Sequence, residues 1–338
     1  MARPWRHPRL PQSTARRVRT VMARANRWRQ RRWVRAGGFL AGFALVVLAV
    51  AAALRQDPGA LRQAMGAIGA HPWWFALLLV ALPMLNWLSI SASIWVLLSR
   101  FGRLGLGEML TLVGMAWLLN YLPLRPGMIG RVAYHKAVNG IAVRQTGQTL
   151  LEGAVITAVA GALMLPMAWA VSDLRVPLAW AMLVLVPMAC GALACAVLWP
   201  RHELAARYVA SGALRAVDMV VWAGRYALTF AIVGAPIDPA AAVILAGASQ
   251  LAMLVPIAGN GLGLREWLIG ALAAGLPAAV LGGQDAHLAQ GLTADVLNRL
   301  VEVLVAVPVG LGCIGLLVVR LRRLGGWKAV RRADAELP

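Results

Sequence analysis

The chain has 338 residues, of which 60% are hydrophobic and 14% charged, with a formal net charge of +20. Water-soluble domains carry about 25% charged residues, so this composition excludes an ordinary soluble globular protein. The positive charge is also uneven: positions 1–35 hold twelve arginines and no acid, and the first acidic residue is Asp57.

The segment 1–35 is predicted to be a cytoplasmic tail. Lys and Arg are retained on the cytoplasmic side of a membrane, and a polybasic stretch beside a span is drawn to anionic lipid. Dense basic charge also suits nucleic acid, but directly before an apolar run the topogenic role is favoured, and no nucleic-acid partner is expected. The basic part is too long for a cleavable signal peptide, and no small-residue cleavage pattern follows the apolar run.

The apolar residues gather into runs of about 18 or more, the length that crosses a ~30 Å hydrocarbon core. Such runs satisfy their backbone groups internally only as helices or closed barrels, and barrel strands alternate over about 10 residues. The expected fold is therefore an all-α polytopic integral membrane protein. Six full spans are predicted, at 36–54, 73–99, 148–170, 176–199, 212–234 and 291–319. A membrane domain would thus occupy 36–320, and a second basic tail 321–338. Cys190, Cys195 and Cys313 lie in apolar runs and read as small packing residues without metal spacing.

Two further apolar pieces are each interrupted. The first, 106–122, leads into a loop within 120–131 (NYLPLRPGMIGR); the second, 239–255, leads into 255–266 (VPIAGNGLGLRE) and then 267–282. Each break has a proline, clustered glycines and an arginine eight or nine residues after the proline. Basic residues place both termini and the loops of Arg100, Arg103, Arg131, Lys136, Arg144, Arg201 and Arg207 inside; the loops of Asp57, Asp173 and Asp238 read as outside. With six spans, both interrupted pieces enter and return on one side as re-entrant helices, from opposite faces. That is the pattern of an inverted repeat with a midplane substrate site. Eight full spans, and a chance likeness in a chain with 34 glycines, are the alternatives.

Glycines let backbone N–H groups approach a ligand, a helix start offers its positive end, and a guanidinium matches phosphate. Arg125, Gly127, Gly130 and Arg131 in the first loop, and Asn260, Gly261, Gly263, Arg265 and Glu266 in the second, are therefore candidate contacts to a phosphate-bearing headgroup. The competing reading is a tight turn whose arginine snorkels to the interface. A nucleotide loop is excluded, since no Gly-Lys-Ser/Thr follows and no strand precedes.

Ionisable residues inside spans are costly and face partners or cavities. Glu152, in the first turns of the third span, and Asp295, Arg299 and Glu302 on one face of the last are candidate pathway-lining residues. Local pairing at i, i+4 and i+7 is equally open to the last three. Asp218 and Arg225 share a face of the fifth span, with Asp218 near its end. Asn86, Ser89, Ser91 and Ser93 make the second span polar; Ser89 and Ser93 share a face that suits helix packing or the lining of a cavity, with packing favoured. No catalytic constellation, cofactor motif or metal-ligand spacing occurs.

In order, PLRPGMIGR with its continuation to Glu152, GNGLGLRE, and NRLVEVLVAVPVGLG from Asn298 resemble the lysylphosphatidylglycerol synthase transmembrane (flippase-like) family, over roughly 37–320. The resemblance implies a lipid-handling protein of the bacterial inner membrane. In longer members this region flips aminoacylated phospholipid and precedes a soluble transferase. The chain ends at Pro338 without one, so lysine transfer is not implied. Most stand-alone members of the family have no established function, and some are associated with hopanoid or other glycolipid pathways. The family pattern has Glu-Arg where this chain has Glu152-Gly153, so a cation partner for Glu152 is either lacking or comes from elsewhere.

The expected function is flippase-like transport of a lipid with an anionic headgroup, Arg131 and Arg265 contacting phosphate while Glu266, Asp295, Arg299 and Glu302 line the path. The alternative is a non-transporting membrane partner of a lipid, glycolipid or hopanoid biosynthesis enzyme. A membrane-embedded enzyme is disfavoured.

Overall fold

The order of apolar runs and Pro/Gly breaks becomes the order of helices in a computed structural model. It describes residues 73–122, 125–171, 174–254, 259–276 and 288–323, with isolated positions between 44 and 66. Apart from those positions, the predicted tail 1–35 and first span 36–54 lie outside the described residues, as do Pro123, Pro256, the segment 277–282 and the C-terminal tail from 324.

Nine α-helices occur among the described residues: α1 Trp73–Leu98, α2 Leu106–Leu119, α3 Pro126–Asn139, α4 Val143–Ala170, α5 Val176–Leu198, α6 Glu203–Ile232, α7 Pro239–Leu254, α8 Leu264–Gly275 and α9 Leu288–Arg323. Four of them, α1, α4, α5 and α9, are long and apolar enough to cross a membrane, and each coincides with a predicted span.

The predicted span 212–234 sits in α6, whose 30 residues begin earlier, at Glu203. This helix is long enough to cross at 1.5 Å per residue, yet Arg215, Asp218 and Arg225 lower its apolarity. The packing explains the charges. Helix α6 lies against α1, α4, α5, α7 and α9, and fifteen of its side chains are buried, Arg215, Asp218 and Arg225 among them. A helix sheathed by others need not present an apolar surface to lipid. Asp218, expected near a span end, is instead deep within the bundle and 1% exposed.

Exposure is inverted relative to a soluble protein. Leu151, Val155, Val159 and Leu163 follow i, i+4 spacing on α4 and are all exposed; Leu300, Leu304, Val307 and Leu311, at steps of four, three and four, are exposed along α9. The interior holds Arg131, Arg215, Arg225, Arg265, Arg299, Asp218, Asp295, Glu266 and Glu302. Soluble surfaces do not carry such broad apolar faces, and charged residues are rarely buried unless paired.

The interrupted pieces form two helical hairpins. With 14 and 16 residues, α2 and α7 reach only about 21–24 Å, short of a ~30 Å core. Arg125 (φ 50°) and Asn260 (φ 48°), the non-glycine residues with positive φ among those described, sit one at each break. After each, a glycine lies against the preceding helix. A β-carbon on Gly127 would be 2.5 Å from the Ala116 Cα, and one on Gly261 would be 3.3 Å from the Ala252 carbonyl carbon. The first break is further fixed by Asn120 Oδ1, which accepts from Met128 N at 3.0 Å. The breaks also touch one another, because the Arg125 guanidinium donates to the carbonyl oxygen of Met253.

Small residues bring α9 close to both hairpins. A β-carbon on Gly310 would collide with Leu118 Cβ of α2, and one on Gly291 would be 2.8 Å from Gly270 Cα of α8. Of the cysteines, only Cys313 is buried; Cys190 is exposed on apolar α5, and all three are free.

Candidate functional site

Two buried polar clusters and one cavity occupy the region between the hairpins and α6. The larger cluster forms where α9 turns its Asp295, Asn298, Arg299 and Glu302 face toward α6 and α8. Arg265, at the start of α8, donates from Nε to Asp295 Oδ2 at 3.0 Å and from Nη1 to Glu302 Oε2 at 3.2 Å. Arg225 of α6 reaches the same Glu302 oxygen at 2.9 Å and donates to Asn298 Oδ1 at 2.9 Å and Asn86 Oδ1 at 3.0 Å. Its guanidinium lies 3.9 Å from the ring centroid of Trp222. Tyr226 donates its hydroxyl to Asp295 Oδ1 at 2.8 Å, and Trp117 Nε1 donates to Glu302 Oε1 at 3.2 Å.

Arg299 does not take the local partners that its own helix offers. It is ion-paired with Glu266 of α8 and reaches the Asn260 carbonyl oxygen at 3.4 Å. Asp295 and Glu302 are already held by Arg265 and Arg225 from other helices, so the pairing expected along α9 is replaced by pairing across it. Three guanidinium groups face three carboxylates here, and the cluster is electrically closed. The structure therefore brings Arg265, Glu266, Asn260, Asp295, Arg299 and Glu302 together as one unit. Arg265, the expected phosphate contact, is already held by two carboxylates.

Asn86 joins this unit to a smaller one, donating from Nδ2 to Asp218 Oδ1 at 2.8 Å. Asp218 is 3.6 Å from Arg215 Nη1. Arg215 Nε donates to Ser93 Oγ at 3.1 Å, and Ser93 shares a 2.8 Å hydrogen bond with Ser211. Asn86 and Ser93 thus link α1 to α6, while Ser91 turns its hydroxyl back to the Trp87 carbonyl of its own helix.

Glu152 stands apart from both clusters, in the third turn of α4. Its cation is Arg100, just beyond the end of α1, and the two form an ion pair. Tyr208 donates to Glu152 Oε1 at 3.0 Å and accepts from Arg100 Nη1 at 3.1 Å. The partner missing beside Glu152 in sequence is therefore supplied by the turn that follows α1.

In the first hairpin, Arg125 is spent on the Met253 carbonyl, Gly127 on close packing, and Gly130 lies 3.8 Å, measured from an added β-carbon, from the Met115 methyl. In the second, Gly261 (φ 69°) and Gly263 (φ 81°) provide backbone turns that other residues adopt only under strain. Arg131 is buried at 7% exposure and has neither a carboxylate partner nor a hydrogen bond among the described residues.

The cavity, about 690 Å³, lies between α4, α6, α7 and α8. Its wall is mostly Ala, Leu, Ile, Val, Met and Gly, with Arg215 and Gln250 as its strongest hydrogen-bond donors. Ala158, Ala162 and Leu251 of the wall are exposed, so the cavity opens sideways onto the apolar exterior. Sequence reasoning passed over Arg215 and Gln250. Arg215 shares a helix face with Asp218 at i, i+3, which was a usable signal; Gln250 carried none.

Together the four long apolar helices, the apolar exterior and the charged interior define a multi-pass, all-helical integral membrane protein. No family model, curated protein or solved structure matches the chain. The resemblance of its motifs to a flippase-like family rests on those residues alone.

Proposed function

We propose that this protein is a flippase-like lipid transporter of the cell inner membrane, with both termini cytoplasmic. The observation that carries this reading is the apolar cavity of about 690 Å³ opening sideways beside a charged interior. Pockets of 300–1,000 Å³, apolar with a few placed polar groups, are the usual form of a small-molecule site. A cavity open to the apolar exterior admits acyl chains directly from the bilayer. The polar interior offers a headgroup donors and acceptors that hydrocarbon lacks.

In this reading the α2–α3 and α7–α8 hairpins are re-entrant and related as an inverted repeat. Their matching left-handed residues, their glycine contacts and the Arg125–Met253 hydrogen bond between them support it. Arg125 and the glycines act as structural pieces of the breaks, while the Arg225, Arg265 and Arg299 cluster locks α6, α8 and α9 around the path.

The test is reconstitution into liposomes with a fluorescent headgroup-labelled phosphatidylglycerol and an impermeant quencher. Transbilayer movement is expected to exceed that in protein-free liposomes. Gly247→Phe should abolish the excess: Gly247 lines the cavity, and nothing lies within 4 Å of an added β-carbon there, so the ring projects into the space. Equal rates with and without protein would overturn the reading.

A further inference from the structure

The cavity is long and has two unlike ends. The α4 face that walls it runs from Thr149 through Gly153, Thr157 and Gly161 to Leu165, about 24 Å at about 1.5 Å per residue. A guanidinium stands near the Thr149 end, where Arg215 Nη2 is 3.8 Å from the β-carbon position of Gly153. From Gly153 to Leu165 the wall continues for about 18 Å, with Ala154, Ala158, Gly161 and Ala162 on α4 and Met219 facing them from α6.

The donors of this wall are nearly all spent or sealed. Thr149 and Thr157 donate their hydroxyls to the Gln145 and Gly153 carbonyls of their own helix, at 3.0 and 2.8 Å. Gln250 has its Nε2 sealed. Arg215, 9% exposed, gives Nε to Ser93 and pairs Nη1 with Asp218, and keeps Nη2 unbonded among the described residues. Its charge is matched by Asp218, so the cavity has one N–H to offer and no unshared charge.

We infer that the cavity holds one acyl chain of an ester-linked lipid, laid along α4 toward Leu165, with its ester carbonyl accepting from Arg215 Nη2. The inference rests on the proposed lipid reading and adds to it the part of the lipid that is recognised, the linkage and the chain. An ester carbonyl accepts without carrying charge, which suits a spare donor beside a balanced ion pair, and a charged donor makes the stronger kind of hydrogen bond. An extended chain advances about 1.2 Å per bond, a third of the ~3.5 Å that a three-bond residue spans, so the apolar stretch takes roughly 15 carbons. Lipid tails are as apolar as the cavity wall, so leaving the bilayer gives the chain no hydrophobic gain. Length is read by coverage, because wall left bare loses its dispersion contacts.

The purified protein in detergent is offered an equimolar mixture of decanoyl, myristoyl, palmitoyl and stearoyl lysophosphatidylcholine, the hexadecyl ether analogue of the palmitoyl lipid, and palmitate. Native mass spectrometry reads which species stay bound. Myristoyl and palmitoyl chains should exceed decanoyl several-fold, since decanoyl leaves roughly a third of the apolar wall bare, and stearoyl should not exceed palmitoyl. The palmitoyl ester should exceed both its ether and palmitate several-fold. Gly153→Val sets a branched side chain over Arg215 Nη2 and should erase the preference for ester over ether while keeping the order of chain lengths. That variant leaves the Arg215–Asp218 pair in place, so it stays informative where Arg215→Gln would strand Asp218. Gly247→Phe, which fills the space, should remove the retained lipid. Equal retention of ester and ether overturns the Arg215 contact, and a preference for palmitate overturns the uncharged class, each leaving a lipid cavity. Retention indifferent to chain length overturns the fit along α4. Retention unchanged by Gly247→Phe overturns the cavity as a lipid site, and the lipid reading with it.

Discussion

Arg265 and Asp295 meet at 3.0 Å with both side chains fully sealed from solvent. Removing one member of a buried ion pair strands the other, at a cost of about 3–5 kcal/mol. Asp295→Ala is therefore expected to lower the melting temperature in mild detergent far more than a surface substitution, and to leave Arg265 dependent on Glu302 alone. A thermal midpoint within a degree of wild type would show that the pair does not hold α8 to α9.

Arg100 and Glu152 present a milder case, with side chains 12% and 17% exposed. Exposed pairs contribute about 0–1 kcal/mol, and this one is partly shielded and shared with Tyr208. A double-mutant cycle with Arg100→Ala and Glu152→Ala should give a coupling above about 0.5 kcal/mol. Simple additivity would mean that the contact contributes nothing.

Gly127 and Gly130, three residues apart, should respond in opposite ways to alanine. At Gly127 the new methyl would collide with the Ala116 backbone at 2.5 Å; at Gly130 its nearest neighbour would be 3.8 Å away. Gly127→Ala is expected to destabilise by about 1–3 kcal/mol, as overpacking does, and Gly130→Ala to be nearly neutral. Equal thermal midpoints would contradict the close α2–α3 hairpin.

Labelling tests the opposed re-entry of the two hairpins. In a background without Cys190, Cys195 and Cys313, Met128→Cys and Leu264→Cys place thiols at positions 37% and 39% exposed. An impermeant maleimide applied to oriented vesicles should reach them from opposite faces. Labelling of both from one face would end the inverted-repeat reading.

The elements were legible in sequence wherever lipid contact or a helix break imposes its own pattern. Long apolar runs became α1, α4, α5 and α9, and the clustered Pro and Gly marked both hairpin breaks. The charged residues of the interior were legible as residues but not as pairs. Arg299 has Asp295 and Glu302 within reach on its own helix, and nothing local shows that Arg265 and Arg225 claim them first. Glu152 finds Arg100 across 52 positions. Arg215 was passed over because it stood near the edge of a predicted span that begins at 212, whereas the helix begins earlier, at Glu203. Burial of α6 by its neighbours removes the apolar signal by which a span is read.

Asn86 is the uncharged link in an otherwise ionic chain from Arg215 through Asp218 to Arg225 and Glu302. Its oxygen faces a guanidinium and its nitrogen faces a carboxylate, so the amide has one orientation it can hold, and turning it over would set like against like at both ends. The side chain works as an insulator with a polarity. It lets the closed cluster and the Arg215–Asp218 pair lie side by side, with Arg225 kept on Glu302 and Asp218 kept on Arg215. A carboxylate at this position would set a second acid against Asp218 across the 2.8 Å that the amide now bridges, and both clusters would have to open to part them.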